Sequence, residues 1–174
     1  VTSRQITAMA SGGGNAPRMA VGTADGEVLF LKVGTTTEFT DQGERRKRPH
    51  IRAGQPIPLT KSPIVRLAYR ANDHESLLAI LSKGGRLLVV RIAADDVAGQ
   101  HPIITELPQP RGTVTALALD ALLENLYVGT ADGQVVHVAL SETESPEMRA
   151  AYTVAASSTA VTTLGFLSGD RSLV

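Results

Sequence analysis

The order of apolar and polar runs repeats along the chain. Three blocks, residues 6–33, 64–92 and 114–140, each begin with an apolar run, pass through a polar or glycine-rich break, and end with two further apolar runs. A fourth block starts at Val161 and reads "VTTLGFLSGDRSLV". The blocks start about 50 residues apart, which is the length of one four-stranded unit in a β-repeat protein.

A short turn separates the second and third apolar runs of each block. It reads Ala-Asp-Gly at residues 24–26 and 131–133 and Lys-Gly-Gly at residues 83–85, and the hexapeptide "VGTADG" occurs in both the first and the third block. Such pairs between β-rich runs predict antiparallel hairpins, because glycine reaches positive φ at little cost. The two aspartates are interpreted as turn residues rather than as a carboxylate site. The predicted turn residues are Asp25, Gly26, Gly84, Gly85, Asp132 and Gly133.

The third runs, "EVLFLKV", "RLLVVRI" and "QVVHVAL", are apolar at nearly every position. A strand covered on one face alternates, whereas a continuous run is typical of a strand covered on both faces. Sheets stacked side by side provide that cover. We therefore predict an all-β fold, a partial β-propeller of three antiparallel blades plus the start of a fourth. It forms one domain, residues 1–174, with repeat units of about 6–63, 64–113, 114–160 and 161–174.

The fourth unit stops inside its second predicted strand, so two blade faces are expected to lack a neighbour. One is built on residues 19–23 and 27–33, and the other belongs to the unit that starts at Val161. Apolar faces beside unpaired strand edges favour association. We therefore expect a homo-oligomer in which these faces pair.

Two segments fit the repeat less directly. Residues 118–126 place four leucines at helical spacing, but the register shared by the three blocks predicts a strand, a turn and a second strand there. One helical turn over residues 120–124 stays open. In the long polar segment 34–61, "TTTEF" and "HIRA" are expected to pair as an extra hairpin around "DQG".

Composition excludes several classes of function. The 17 Lys and Arg balance 17 Asp and Glu, Trp is absent and aromatic residues are few, so no nucleic-acid partner is expected. There is no cysteine, and the histidines lack the spacing of a zinc site. His137 lies in an apolar run and is interpreted as a packed residue, and residues 11–15 ("SGGGN") as a turn. We predict no catalytic, cofactor-binding or metal-binding residues, and no enzymatic activity.

The segment "ERRKRPH" is the one strong local concentration of charge. Its cations, Arg45, Arg46, Lys47 and Arg48, are a candidate contact for an anion, a lipid head group or an acidic partner. The alternative is a solvated hairpin tip, kept charged so that its edge does not pair with another sheet.

The run order, the Asp-Gly turn and the period resemble WD-repeat β-propellers, although the Trp-Asp that would end each third strand is absent. The stretches "RMAVGTADGEVLFLKV", "DQGERRKRP", "LYVGTADGQVVHVAL" and "VTTLGFLSGDRSLV" together resemble the large extra-membrane insertion of proteobacterial phosphate ABC transporter permeases. That resemblance implies a non-catalytic domain of an inner-membrane phosphate importer, facing the periplasm. Its partners would be the remainder of the permease, the other transporter subunits and the phosphate-binding protein.

Two other classes of function stay open. One is a free-standing WD-repeat-like propeller that serves as a scaffold for protein–protein interaction. The other is a propeller enzyme, which would need acidic, basic or metal-binding groups converging at the propeller mouth. The sequence offers no such set.

Overall fold

The computed structural model describes residues 4–12, 18–93, 101–140, 152–156, 158–167 and 172–174. In these residues the secondary structure is entirely β, and no helix is long and apolar enough to cross a membrane. The strands are β1 Ile6–Ser11, β2 Arg18–Thr23, β3 Glu27–Phe39, β4 Arg45–Ala53, β5 Ile57–Pro58, β6 Ile64–Ala71, β7 Glu75–Ser82, β8 Leu87–Ala93, β9 Ile103–Leu107, β10 Val114–Leu119, β11 Asn125–Thr130, β12 Gln134–Ala139, β13 Tyr152–Ala156, β14 Phe166–Leu167 and β15 Ser172–Leu173.

The strands form three antiparallel meanders and one small hairpin. Blade one has the order β1-β2-β3-β4, with β5 pairing with β3 as well; blade two is β6-β7-β8-β9 and blade three is β10-β11-β12-β13. Strands β14 and β15 pair with each other as a separate sheet. The prediction of an all-β fold with three antiparallel blades and the start of a fourth is confirmed.

The threonine of the repeated hexapeptide closes the turn between the second and third strands. Thr23 and Thr130 are completely buried. The hydroxyl of Thr23 accepts a hydrogen bond from the amide of Glu27 at 3.1 Å, and that of Thr130 accepts one from Gln134 at 3.0 Å. Because a side-chain oxygen accepts the hydrogen bond of the turn amide, that amide does not need a water molecule as its partner.

The glycine that ends each turn has a left-handed backbone. The φ angles are 79° at Gly26, 84° at Gly85 and 83° at Gly133, values that other residues adopt only with strain. Asp25 and Asp132 lie in these turns with exposed side chains. The structure places all the predicted turn residues in these hairpins, namely Asp25, Gly26, Gly84, Gly85, Asp132 and Gly133.

The first strand of every blade carries a register shift at the same place, at Thr7, Val65 and Thr115. Such a bulge bends the strand and aims its side chain toward the neighbouring blade. The hydroxyl of Thr7 donates to the carbonyl of Ile64 at 2.6 Å, and that of Thr115 donates to the carbonyl of Val161. Each bond ties one unit to the first residue of the next unit.

Two apolar clusters hold the blades together, and blade two contributes to both. The cluster between blades one and two includes Ala20, Val28, Ile57, Ile64, Tyr69, Leu78, Ile80, Leu88, Val90 and Ile92. The cluster between blades two and three includes Ala68, Leu77, Ala79, Leu87, Val89, Leu107, Leu119, Leu123, Leu126, Val128, Val136, Val138 and Leu140. The apolar side chains of each blade are therefore buried by contact with the adjacent blades.

This arrangement corrects the expectation that every third strand is covered on both faces. In blade two, β8 is buried from Leu87 to Val90. In blade one, Leu29, Phe30 and Leu31 of β3 are only partly buried. The physical reason is position: blade two lies between two neighbours, whereas one face of blade one contacts no other blade among the described residues.

Residues 118–126 form no helix. The amide of Leu123 bonds to the carbonyl of Asp120 at 3.4 Å, and Leu123 has a φ of 62°, so the chain reverses in a β-turn. The carboxylate of Asp120 accepts from the amides of Glu124 and Asn125 at 3.0 and 3.1 Å and from the Asn125 side chain at 2.7 Å. Asp120 organises the turn, and Leu122 is left exposed at its tip.

The hairpin around "DQG" exists, but its pairing differs from the prediction. Residues 35–39 pair with residues 45–49, and residues 50–53 pair with residues 31–34. The reason is that β3 continues from the blade into the hairpin without a break, so β4 follows it back in one register. Gly43, with a φ of 78°, closes the turn. We call residues 32–52 the hairpin arm.

Candidate functional site

The four predicted contact residues lie side by side on β4, in the outer half of the hairpin arm. Arg45, Arg46, Lys47 and Arg48 are all exposed. The chain carries no net charge, but the arm contains six Lys or Arg and only three Asp or Glu. The arm is therefore a local positive surface on a neutral molecule.

Strand alternation divides the arm into two faces. On one face the cross-strand pairs are Lys32 with Arg52, Gly34 with His50, Thr36 with Arg48, and Glu38 with Arg46. Arg48 lies 3.7 Å from Glu38, and Arg46 lies 3.9 Å from Glu44. The four side chains of these two ion pairs are highly exposed, so each pair contributes little to stability.

The other face of the arm combines positive charge with apolar surface. Its cross-strand pairs are Val33 with Ile51, Thr35 with Pro49, Thr37 with Lys47, and Phe39 with Arg45. Phe39 is 72% exposed and Ile51 is 66% exposed. Among the described residues, no carboxylate lies within ion-pair distance of Arg45 or Lys47. We call this face, defined by Phe39, Arg45, Lys47 and Ile51, the mixed face.

Blades two and three are joined by arginines that the sequence analysis did not single out. Val65 cannot supply the hydroxyl bond that Thr7 and Thr115 make, and the Nε of Arg66 instead donates to the carbonyl of Thr115 at 3.0 Å. Arg70 and Arg91 likewise donate to carbonyls of the next blade, at Leu119 and Leu140, each at 3.2 Å. Each acceptor carbonyl lies one repeat length after its arginine along the chain, so an alignment of the repeats would place each arginine opposite its acceptor.

A shallow cleft of about 140 Å³ lies between the first strands of blades two and three and residues 162–164. The charged residue in its wall is Arg66, whose guanidinium is already bonded to the carbonyls of Val65 and Thr115. The cleft has no acid, base or nucleophile arranged for chemistry. Within the described residues, no three His, Asp or Glu side chains come together in a way that could hold a metal ion.

His137 packs as a structural residue. Its ring stacks on Tyr127 with centroids 5.0 Å apart, and its Nε2 lies 2.7 Å from the Oδ1 of Asn125. His50 is on the hairpin arm, beside the hydroxyl of Thr36 at 3.1 Å. The glycine-rich segment 11–15 falls mostly outside the described residues, which include only its first two positions.

No protein-family model matches the chain, and no curated protein matches it. Among solved structures, the chain is similar to the Cps50 (Swd1) beta-propeller domain of Myceliophteria thermophila, with a TM-score of 0.61 and 17% sequence identity. The match covers 99% of this chain and 49% of that one, so the chain spans about half the length of the solved propeller. The likeness shows a WD40-like β-propeller fold and contains no link to phosphate transport.

Proposed function

We propose that this chain supplies blades to a non-catalytic propeller scaffold that binds another protein, and that the mixed face of the hairpin arm is the contact. The observation that carries the proposal is the exposure of Phe39 and Ile51 beside Arg45 and Lys47 on one face of a two-stranded extension. Propellers of this fold typically serve as interaction scaffolds, which supports the same reading.

The arm extends beyond the blade that holds it. Strand β2 pairs with β3 only as far as Lys32, whereas β4 follows β3 to Phe39. Beyond Lys32 the arm is therefore a ribbon of two strands. A ribbon gains little stability from an exposed phenylalanine at its end, and aromatic residues and arginine are enriched in protein interfaces.

The charge of the arm indicates an acidic partner. A local surplus of cations attracts and orients an acidic surface before contact. Among the described residues, Arg45 and Lys47 form no ion pair that binding would have to break, so a carboxylate from the partner adds an ion pair. The apolar side chains on the same face would then be covered by the partner.

A fluorescent peptide that combines Glu and Asp with one Trp provides the test, read by anisotropy at low and at moderate salt. The double variant R45E/K47E should bind at least ~10-fold more weakly than the parent, and Phe39→Ser should weaken binding even though it changes no charge. The double variant K61E/K83E is the matched control, because it reverses two exposed lysines outside the arm. Equal losses in R45E/K47E and K61E/K83E would show unspecific attraction and would refute the role of the arm.

A finer proposal concerns the assembly to which the scaffold belongs. The resemblance of "LYVGTADGQVVHVAL" and its companion stretches to the phosphate-permease insertion supports an inner-membrane transporter, with this domain in the periplasm. The partners would then be the permease helices, the other transporter subunits or the phosphate-binding protein. Reading the gene on both sides of the 174 residues tests this: apolar membrane-spanning segments on both sides support it, and an uninterrupted soluble protein would contradict it.

A further inference from the structure

We infer that the acidic partner binds as an extended strand that pairs with the free edge of β3 in the hairpin arm and adds a third strand to the two-stranded ribbon. The inference rests on the proposed function, since it concerns the same arm and the same partner, and it specifies the shape in which that partner is bound. It is carried by the backbone of the arm, whereas the proposed function is carried by the side chains. Strand addition to a sheet edge is an established mode of peptide recognition.

The hydrogen-bonding pattern of the arm indicates which backbone groups of β3 face away from β4. In an antiparallel pair, opposite residues alternate between hydrogen-bonded and non-hydrogen-bonded positions. The amide of Thr40 donates to the carbonyl of Glu44 at 3.0 Å, and the amide of Gly54 donates to the carbonyl of Phe30 at 2.8 Å. The register between these two bonds is unbroken, so the even-numbered residues of β3 bond to β4. The amides and carbonyls that face the other side belong to Val33, Thr35, Thr37 and Phe39.

That side of β3 has no partner strand in the outer part of the arm. Strand β2 pairs with β3 only as far as Lys32, and among the described residues no other strand takes its place beyond that point. The outward positions are β-branched or aromatic residues, which strands favour. An exposed edge of this kind is a template for pairing with another chain.

The opposite edge of the arm, on β4, is protected against pairing. Pro49 lies opposite Thr35, at a position whose backbone faces away from β3, and it has no N–H to offer. Exposed cations surround it on the same strand. Proline and basic side chains are the devices by which proteins keep a sheet edge from pairing. The β3 edge has neither between Val33 and Phe39, so strand addition is directed to that side of the arm.

The charge of the arm favours an acidic strand over a second copy of this chain. An added strand would lie about 10 Å from β4, which is two strand spacings. The short side chain of Thr37 lies between the added strand and Lys47 on the mixed face, so a glutamate of the partner reaches over it to the ammonium group. Two arms paired along the same edge would instead bring like charges together, since each arm has six Lys or Arg and three Asp or Glu.

Substitution of Thr37 tests the strand, with the same fluorescent acidic peptide as the probe and anisotropy as the readout. Thr37→Pro removes one outward amide and should bind the peptide about 10-fold more weakly than the parent. The bonds to β4 come from the neighbouring residues, and Pro49 already occupies a position of this kind, so the arm should keep its fold in circular dichroism. Thr37→Val is the matched control: it keeps the amide and the shape of the side chain, and it should bind as the parent does.

Hydrogen exchange measured by NMR on the parent is a second test that needs no variant. Saturation with the peptide should slow exchange of the Thr37 amide at least ~10-fold, because that amide gains a hydrogen-bond partner. The amide of Lys47 faces the protected edge and should change little. Contact through side chains alone would leave the Thr37 amide unprotected.

The outcomes separate this inference from the proposed function. If Thr37→Pro binds like Thr37→Val, or the Thr37 amide stays unprotected, while R45E/K47E still weakens binding, the added strand is refuted and the arm remains the contact. A peptide that does not bind the parent, or that R45E/K47E binds equally well, refutes both. Self-association of the parent that Thr37→Pro abolishes and Thr37→Val keeps would also overturn the inference, because it would show that the edge pairs with a second copy.

Discussion

Replacing Gly22 with alanine is expected to push blades one and two apart. A Cβ atom built on Gly22 would lie 2.6 Å from the Cγ2 of Ile64 and 2.8 Å from its Cβ. Carbon atoms in contact prefer about 3.5–4.0 Å, so the added methyl group overlaps Ile64 by about 1 Å. Ile64 is fully buried and begins blade two, so the overlap is relieved only by moving the strand.

The expected loss of stability follows from two opposing effects. Overpacking of a tight interior costs about 1–3 kcal/mol. The φ of Gly22 is not positive, so alanine adds no backbone strain there, and it stabilises by about 0.4–1 kcal/mol through the reduced entropy of the unfolded chain. The net expectation is a destabilisation of about 1–2 kcal/mol, which lowers the melting temperature by about 2–8 °C in a chain of this size.

The assay is urea unfolding followed by circular dichroism, with thermal melts as a second readout. Gly129→Ala should behave like Gly22→Ala, because its Cβ would lie 2.5 Å from the Cγ1 of Val161. Gly165→Ala is the control: nothing lies within 4 Å of its added Cβ, and its φ is not positive. If Gly22→Ala proved as stable as Gly165→Ala, the close approach of the two blades would be refuted.

Two further predictions concern charged side chains of blade two. Arg91→Leu should destabilise the chain by about 1–3 kcal/mol in the same urea assay. The reason is that the partly buried Glu75, now 2.9 Å from Arg91, and the carbonyl of Leu140 both lose their hydrogen-bond donor. An unchanged unfolding midpoint would show that these bonds of Arg91 are not needed for stability. The two hydrogen bonds from Arg86, at 3.1 and 2.7 Å, hold the pKa of Glu106 below its ordinary value. Stability from this carboxylate is thus present above the ordinary pKa and is lost as pH falls through the lowered one. Carboxyl NMR titration should show the pKa rising in Arg86→Leu, and an unchanged value would contradict the pairing.

The turns and blades were predictable because their signals are local and occur three times. The positive φ at Gly26, Gly85 and Gly133 is a requirement of a few consecutive residues, and glycine meets it in every block. The register shared by the three blocks also gave the right prediction for residues 118–126, although their leucines have helical spacing. Asp120 stabilises a turn there through hydrogen bonds to residues close to it in the chain. Local chemistry of this kind can be read from one sequence.

The contacts between blades were less accessible to sequence analysis. Arg66 looks like any exposed cation until the repeat is aligned, and its carbonyl acceptor, at Thr115, has no side-chain signature. In the sequence, Phe39 cannot be told from a buried apolar strand residue, because its exposure depends on whether another sheet packs against that side of the strand. The basic run was found, but its division into two faces required the actual register of β4.

The position held by Gly22 in blade one and Gly129 in blade three is held by Leu81 in blade two. In blades one and three the glycine lies against the branched first residue of the following unit, Ile64 or Val161, whereas blade two carries the buried side chain of Leu81 at this position. The junctions between units are therefore not identical, although the units share one fold. A glycine thus allows close approach at two of the three junctions between units, whereas the junction after blade two has a larger side chain at this position and is joined by arginines that bond to blade three.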